Sequence, residues 1–323
     1  MRKIILNKLG DAEQMKLTEV EIPSASADQV LVKHAAIGIN FIDIYQRSGL
    51  YPLNLPSGLG LEASGVVESV GELVKNFKVG DRVCYCNGPV GAYAEFNLVP
   101  ESLLVHLPNE IDFDVIAGGF LKGLTAYFLL HDVYEVAKGQ KILFHAAAGG
   151  VGSIATSWAK SMGALVIGTV GSEKKLDYAK SNGCDFVINY NTSSFKDKVN
   201  EITNSEGVTV VYDSIGKNTI EDSMDVLEKR GLLVSFGNAS GVPEPINILD
   251  LMKKGSIYVT RPTLFDYVKT RDQLEKASSS FFAALINKKV SIDIQQEFSL
   301  RNIADAHNSL TRRETMGATI IKP

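Results

Sequence analysis

The chain has 323 residues, with 33 lysines and arginines against 37 aspartates and glutamates, a formal net charge of −4. With 45 % hydrophobic and 22 % charged residues, its proportions are those of a globular protein, which excludes a disordered or collagen-like polymer; the length points to two domains. The slightly acidic balance gives no general attraction for nucleic acid, and the Lys-Lys pairs at 174–175, 253–254 and 288–289 are too short and scattered to form a basic stripe.

Met1–Met15 has no apolar core segment and no small-residue cleavage site, so it reads as a first strand rather than a signal peptide. Gly, Lys or Asp interrupts every apolar stretch short of the ~18 residues a membrane span needs. A soluble cytoplasmic protein without a membrane partner is therefore expected. The N-terminal region is β-like. Short valine-rich runs such as Gln29–Val32, Gly65–Val70 and Asp81–Tyr85 are bounded by Gly, Pro or Asp, and turn signals such as Lys78-Val79-Gly80-Asp81 are dense. This spacing predicts a partly open barrel of antiparallel strands. Cys84 and Cys86, two apart, fall on one face of a strand; with Cys184 they form no disulfide framework and no zinc-ribbon spacing, and read as small buried or rim residues of a reduced protein.

The texture changes near Gly118. Strand-like runs at Lys141–His145, Leu165–Thr169, Phe186–Asn189, Thr209–Tyr212, Leu232–Phe236 and Ile257–Val259 alternate with helix-length segments such as Val151–Met162, Lys174–Ser181 and Phe195–Thr203. In the last, Phe195, Val199 and Ile202 share one helical face. Six such repeats predict a doubly wound parallel sheet, an α/β fold. After Thr263 the pattern breaks, with a helix predicted over Asp272–Asn287 on Leu274, Ala277, Phe281, Ala284 and Leu285, followed by short strands.

The stretch His145-Ala146-Ala147-Ala148-Gly149-Gly150-Val151-Gly152 carries the clearest chemistry. Ala147-x-Gly149-x-x-Gly152 follows a strand and opens a helix, the context of a dinucleotide fingerprint with alanine in its first position. Small residues let the backbone approach a pyrophosphate, and the helix turns its free N–H groups toward the anion. A ligand-free tight turn is the plain alternative. NAD-binding sites put an acid at the end of the second strand to bond the ribose 2′-hydroxyl. Here that end reads Val170-Gly171-Ser172, followed by Glu173 and then Lys174 and Lys175. NADP(H) is therefore predicted, with Lys175 and Ser172 on the 2′-phosphate; the alternative is that these lysines are solvated charges on a helix face.

Gly38-Ile39-Asn40-Phe41-Ile42-Asp43, Gly60-Leu61-Glu62-Ala63-Ser64-Gly65, Gly80-Asp81-Arg82-Val83, Lys122-Gly123-Leu124-Thr125-Ala126, the fingerprint, Val211-Tyr212-Asp213-Ser214-Ile215-Gly216 and Ser235-Phe236-Gly237-Asn238 occur in that order. Together they resemble the medium-chain dehydrogenase/reductase superfamily, and within it the zinc-free, zeta-crystallin-like NADPH:quinone oxidoreductases, above all the bacterial ones. The resemblance covers essentially the whole chain. It implies a GroES-like β-barrel domain from residues 1–122 and 264–323, a Rossmann NADP(H)-binding domain with a six-stranded sheet from residues 123–263, and an active site in the cleft between them. It also implies a homodimer formed through the Rossmann sheet edge near Ser256–Thr260.

Carried over by motif, the resemblance places Asn40, Phe41, Ile42, Asp43 and Tyr45 along the nicotinamide side, with Tyr45 beside the ring and Asn40 positioning substrate or nicotinamide. Thr125 touches the cofactor from the segment leading into the first Rossmann strand. Gly150 and Val151 meet the pyrophosphate, and Gly171, Ser172, Lys175 and Tyr190 hold the adenosine 2′-phosphate. Gly237 and Asn238 lie over the nicotinamide ribose, Pro262, Thr263 and Leu264 run past the carboxamide, and Arg313 reaches the phosphates. Candidate pocket residues are Tyr45, Tyr51 and Asn40, with Arg261 near them.

No metal is expected. The alcohol dehydrogenases of the superfamily hold a catalytic zinc with a Cys and a Gly-His-Glu histidine, whose places fall here near Asn40 and at Leu61. Zinc needs about three such ligands in a catalytic site. His34, His106, His131, His145 and His307 show no ligand spacing and read as surface or packing histidines. Without Lewis-acid help a simple ketone is a poor acceptor, whereas a quinone needs mainly orientation against the nicotinamide. The expected enzyme is thus an NADPH:quinone oxidoreductase with no assigned general acid. An enone reductase is the enzymatic alternative. A non-catalytic NADPH- or RNA-binding protein is the alternative from another class, though a charge pattern lacking a basic, aromatic-lined stripe argues against RNA.

Overall fold

A computed structural model describes residues 1–323. Met1–Lys122, Thr270–Ile286 and Ile292–Pro323 make one compact unit, and Gly123–Lys269 with Asn287–Ser291 make a second.

The first unit is built around the long strand Gln29–Gly38, which pairs antiparallel with Ala63–Val70, Phe96–Pro100 and Ala318–Lys322. Ala63–Val70 continues to Arg82–Tyr85, and that strand to Val105–His106. The strands of the N-terminal segment pair antiparallel, and the C-terminal Ile294–Ser299 joins Ala318–Lys322 in parallel. Helix Ile303–Thr311 lies between those two strands in sequence, and a parallel pair requires such a crossover. Ile4, Val30, Ile37, Ile39, Tyr85 and Tyr93 belong to the barrel core. Helix Arg271–Ile286 buries Leu274, Ala277, Phe281 and Ala284. Its mid-helix Ser278 is accommodated because the hydroxyl donates to the Leu274 carbonyl at 2.6 Å.

The second unit holds six parallel strands in the spatial order Phe186–Asn189, Leu165–Val170, Lys141–Phe144, Val208–Asp213, Leu227–Ser235 and Tyr258–Thr260. This is the doubly wound order of a Rossmann fold, and the direction of winding reverses between Lys141–Phe144 and Val208–Asp213. Phe195–Thr203 is helical, with Phe195 and Val199 buried and the Ser194 hydroxyl capping its start by accepting from the Asp197 N–H at 3.2 Å.

Gly118, where the sequence texture changes, lies beyond the strand Val105–His106 and a few residues before the second unit begins at Gly123. It lies inside the helix Phe113–Tyr127, which runs on as a π-helical segment over Phe128–Val133. Phe113–Val133 is also long and apolar enough to cross a membrane by length and composition, contrary to the expectation that every apolar stretch is cut short. Most of it is buried inside the protein, so its apolarity is that of a core helix.

Candidate active site

The carboxyl ends of the two strands at the winding reversal are where an open α/β sheet binds ligands, and the fingerprint sits on one of them. After Phe144 the chain turns through Ala146, whose φ is +54°. It then enters helix Gly150–Ser161 with Gly149 as an extended N-cap. The Gly149 N–H donates to the Ala146 carbonyl at 2.8 Å and the Ala147 N–H to the Thr169 carbonyl at 2.9 Å, which locks the turn onto the second strand. A Cβ on Gly152 would stand 2.8 Å from the Ala147 Cα and overlap the Ala146 carbonyl oxygen, so only glycine lets the helix lie this close. Gly150 and Val151 open the helix, where unpaired N–H groups and the positive end of the dipole favour an anion.

His145, read from the sequence as a packing or surface residue, is the hub beneath this turn. It is fully buried. Its Nδ1 meets the Thr169 hydroxyl at 2.8 Å and its Nε2 the Ser223 hydroxyl at 2.9 Å. Ser223 and Thr219 both donate to Asp213 Oδ2, at 2.9 and 2.7 Å, while Asp213 Oδ1 accepts from the Ile215 and Gly216 N–H groups. Since Ser223 gives its proton to Asp213, it accepts from His145 Nε2–H, and Nδ1 accepts from Thr169. Burial pushes the His145 pKa down against the pull of Asp213, which fits this neutral ring. His145 and Asp213 end the two strands flanking the reversal, and that placement was the available signal for their role.

At the second strand's tip, Gly171 and Ser172 are half-buried and Lys175 partly so. Tyr190 stands against Gly171: a Cβ there would lie 2.6 Å from the Tyr190 Oη. Gly171, Ser172, Lys175 and Tyr190 thus occupy one corner of the same unit. The one nearby acid, Glu173, has its carboxylate bonded by Asn189 Nδ2 at 3.2 Å. The Gly237–Asn238 loop is tied to the last strand by Arg261, which donates to the Gly237 carbonyl at 3.1 Å and to the Ser235 hydroxyl at 3.3 Å. The Asn238 amide is satisfied when Nδ2 donates to Gly237 O at 2.9 Å and Oδ1 accepts from Arg261 at 3.2 Å. Arg261 therefore braces this loop. Pro262 and Thr263 lead into the short helix Leu264–Tyr267, whose first residue is buried. Thr125, in the segment before the first Rossmann strand, is a buried residue of helix Phe113–Tyr127.

In the barrel unit, Asn40 is the N-cap of helix Phe41–Ser48. Its backbone N–H donates to Asp43 Oδ2 at 2.8 Å and its Nδ2 to Glu62 Oε2 at 2.7 Å. Phe41, Tyr45 and Tyr51 form an aromatic row, with centroid separations of 6.1 and 5.2 Å. Asp43 is wholly buried. Tyr93 Oη donates to Asp43 Oδ2 at 2.7 Å, His307 Nε2 lies 3.0 Å from Tyr93 Oη, and Arg47 Nη1 lies 3.1 Å from His307 Nδ1. Arginine can only donate, so the chain runs Arg47 to His307 to Tyr93 to Asp43. Burial raises Asp43 to about 7 and lowers His307 to about 3. Arg313 is exposed, just beyond helix Ile303–Thr311, with φ +59°.

No group of three or more His, Cys, Asp or Glu side chains is arranged to hold a metal ion. Leu61 is buried, and the Asn40 amide is committed to Glu62. The three cysteines are free and buried, and burial pushes the Cys84 and Cys86 thiols up, away from the thiolate form.

The family profile described as "Alcohol dehydrogenase GroES-like domain" matches residues 26–109, and "Zinc-binding dehydrogenase" matches residues 150–279. A quinone oxidoreductase of Pseudomonas aeruginosa is 46 % identical over 100 % of this chain and 99 % of its own. A 2-haloacrylate reductase of a Burkholderia species is 41 % identical over 99 % of this chain and 98 % of its own. The crystal structure of Escherichia coli quinone oxidoreductase complexed with NADPH superposes with a TM-score of 0.98 at 44 % identity, covering 100 % of each chain. With matching domains in matching order and full-length likeness at this level, the chain belongs to the medium-chain dehydrogenase/reductase family, among its quinone oxidoreductases.

Proposed function

We propose that this oxidoreductase takes reducing equivalents from NADPH and passes them to a quinone, without a metal. The observation that carries the reading is the tip of the second Rossmann strand. A dinucleotide turn stands beside a Gly171–Ser172–Lys175–Tyr190 corner that offers a hydroxyl and an ammonium, and Glu173, the acid that could have served a ribose diol, is bonded to Asn189. The likeness to a structure complexed with NADPH supports the same cofactor.

NADPH, when bound, supplies the hydride. The chain's residues hold and orient it. The Gly150–Val151 helix start takes the pyrophosphate, and Ser172, Lys175 and Tyr190 take the 2′-phosphate. Thr125, Gly237, Asn238 and the Pro262–Leu264 segment flank the nicotinamide half, and Arg313 adds charge toward the phosphates. By likeness to the family, Asn40 and Tyr45 are the residues assigned to the nicotinamide end, and the Phe41–Tyr45–Tyr51 row is the face assigned to a flat acceptor. A quinone suits such a site because its reduced oxygen is conjugated and needs no metal to carry the charge; orientation is the main demand. No side chain is assigned as general acid, and water serves as proton donor.

The 2-haloacrylate reductase relative favours a second reading, reduction of a carbon–carbon double bond activated by a neighbouring carboxyl or carbonyl group. For assembly, the edge strand Tyr258–Thr260 pairs on one side only, and Tyr258, Ile248, Leu249 and Met252 are exposed apolar residues near that edge in sequence. A homodimer through this edge, near Ser256–Thr260, is the proposed state.

The deciding experiment is loss of NADPH absorbance across a panel of ortho- and para-quinones, enones and 2-haloacrylate. Turnover of quinones above the alkenes is the expected result. Turnover of alkenes alone would establish the second reading, and tight NADPH binding without turnover of any acceptor would overturn both.

A further inference from the structure

Glu62 is fully buried, and each of its partners is a donor. The Leu121 N–H donates to Oε1 at 2.6 Å and Asn40 Nδ2 to Oε2 at 2.7 Å. Lys122 Nζ stands 3.6 Å from Oε2 with its side chain 8 % exposed, and it makes no hydrogen bond. Both of these hydrogen bonds are ones the carboxylate accepts, and the third neighbour is a cation. Burial raises the Glu62 pKa while Lys122, Asn40 and Leu121 pull it back; two donors and an ammonium around one carboxyl favour the anion. The backbone is also shaped for this carboxylate. A Cβ on Gly38 would come within 2.6 Å of Glu62 Cδ, so the glycine two residues before Asn40 leaves the space that the carboxylate fills.

A buried ion pair is a poor source of stability compared with apolar packing of the same volume. What this one does is fix a rotamer. An anionic Glu62 accepts only from Nδ2 of Asn40, so the amide cannot flip, and its oxygen is left facing the first turn of helix Phe41–Ser48. We propose that Glu62 and Lys122 are positioning residues of the reaction, the pair fixing the Asn40 amide and, through it, the helix start that carries Asn40 and Tyr45 to the nicotinamide. The inference rests on the reductase reading above. It gives this chain a role for the Gly-x-Glu remnant that survives where Leu61 fills the metal-ligand place.

The test is a cycle between Asn40→Ser, which keeps a capping hydroxyl but drops the Glu62 bond, and the charge-neutral double variant Glu62→Gln/Lys122→Met, which leaves no buried charge unpaired. Steady-state rates, the isotope effect with NADPH deuterated at the transferred position, NADPH affinity and melting temperature are read for each. The expected result is a kcat lowered about tenfold or more in both, with a larger isotope effect, little change in NADPH affinity, and no further loss when the changes are combined. A double variant with wild-type kcat and isotope effect, or losses that multiply in the combination, would overturn the positioning role while leaving the reductase reading intact. Should the double variant fail to fold, Asn40→Ser is read alone, and wild-type kcat and isotope effect in that variant would overturn the positioning role. Wild-type protein that binds NADPH but oxidises it with none of the quinones, enones or 2-haloacrylate would instead remove the reductase reading, and this inference with it.

Discussion

Gly152 and the Ala146 carbonyl oxygen approach so closely that no side chain fits between them, and this fixes how near helix Gly150–Ser161 stands to the strand before it. Gly152→Ala cannot be absorbed by a flexible side chain, because the opposing atoms are backbone. The helix start must shift, at a cost of about 1–3 kcal/mol in stability. NADPH affinity should fall about tenfold or more as the N–H groups leave the pyrophosphate position. Denaturant melts alongside NADPH titration check both; unchanged affinity would mean that the turn does not receive the pyrophosphate.

Lys175→Ala should weaken NADPH about tenfold or more and leave NADH nearly unchanged, since one charge-assisted contact contributes ~1.5–3 kcal/mol. Titration of the purified variant with each dinucleotide reads this directly. Equal losses for both would show that Lys175 is only a solvated helix charge.

His145→Phe keeps the ring volume but takes away the acceptor of the Thr169 hydroxyl, while Ser223 keeps its bond to Asp213. An unpaired buried polar group costs ~1–3 kcal/mol, so thermal stability should fall clearly. Because those hydroxyls lead to Asp213 and the turn, NADPH affinity should fall with it. His145→Gln, which can bond one of the two hydroxyls, should recover part of both. Equal melting temperatures for the two variants would argue against the network.

Stability should depend on pH in two opposing ways within the barrel unit. His34 is buried, with Nδ1 2.7 Å from the Ala94 carbonyl and Nε2 2.9 Å from Tyr85 Oη, and burial lowers its pKa to about 4. Between that value and 6.5 the unfolded chain binds the extra proton, so His34, like His307, makes stability rise with pH. Asp43, raised to about 7, binds its proton more tightly when folded, so from about 4 to about 7 it makes stability fall as pH rises. Asp43→Asn should therefore remove a falling component, and the gap between variant and wild type should change by about 4 kcal/mol across that window and be flat above it. Urea melts at stepped pH would check this, and a constant gap would show that Asp43 titrates at its ordinary value.

Tyr45→Phe should cost little if the ring serves as a stacking wall for the acceptor. A loss of about a hundredfold in kcat would instead identify its hydroxyl as a proton donor, measurable in the same quinone assay.

Much of the fold was legible in the chain itself, because local physics writes it there. Alternating apolar runs with Gly and Pro between them can only be strands and turns, and Phe195, Val199 and Ile202 can share a face only in a helix. The fingerprint, too, is local: strand, small-residue turn and helix lie within a dozen residues, and the missing acid after Val170 could be read directly. Tertiary structure decided what depends on distant residues meeting. His34, His145 and His307 look alike in sequence, yet each is buried among hydroxyl, carbonyl or guanidinium partners that lie between 24 and 260 residues away. Asp43 sits in a motif that suggests a cofactor contact, and only the fold brings Tyr93 to its carboxylate. Lys122 and Glu62 are 60 residues apart and become a pair because a helix and the residue just before strand Ala63–Val70 bring an ammonium and a carboxylate to the same dry place. Burial and partner chemistry are properties of the assembled core, and no periodicity along the chain encodes them.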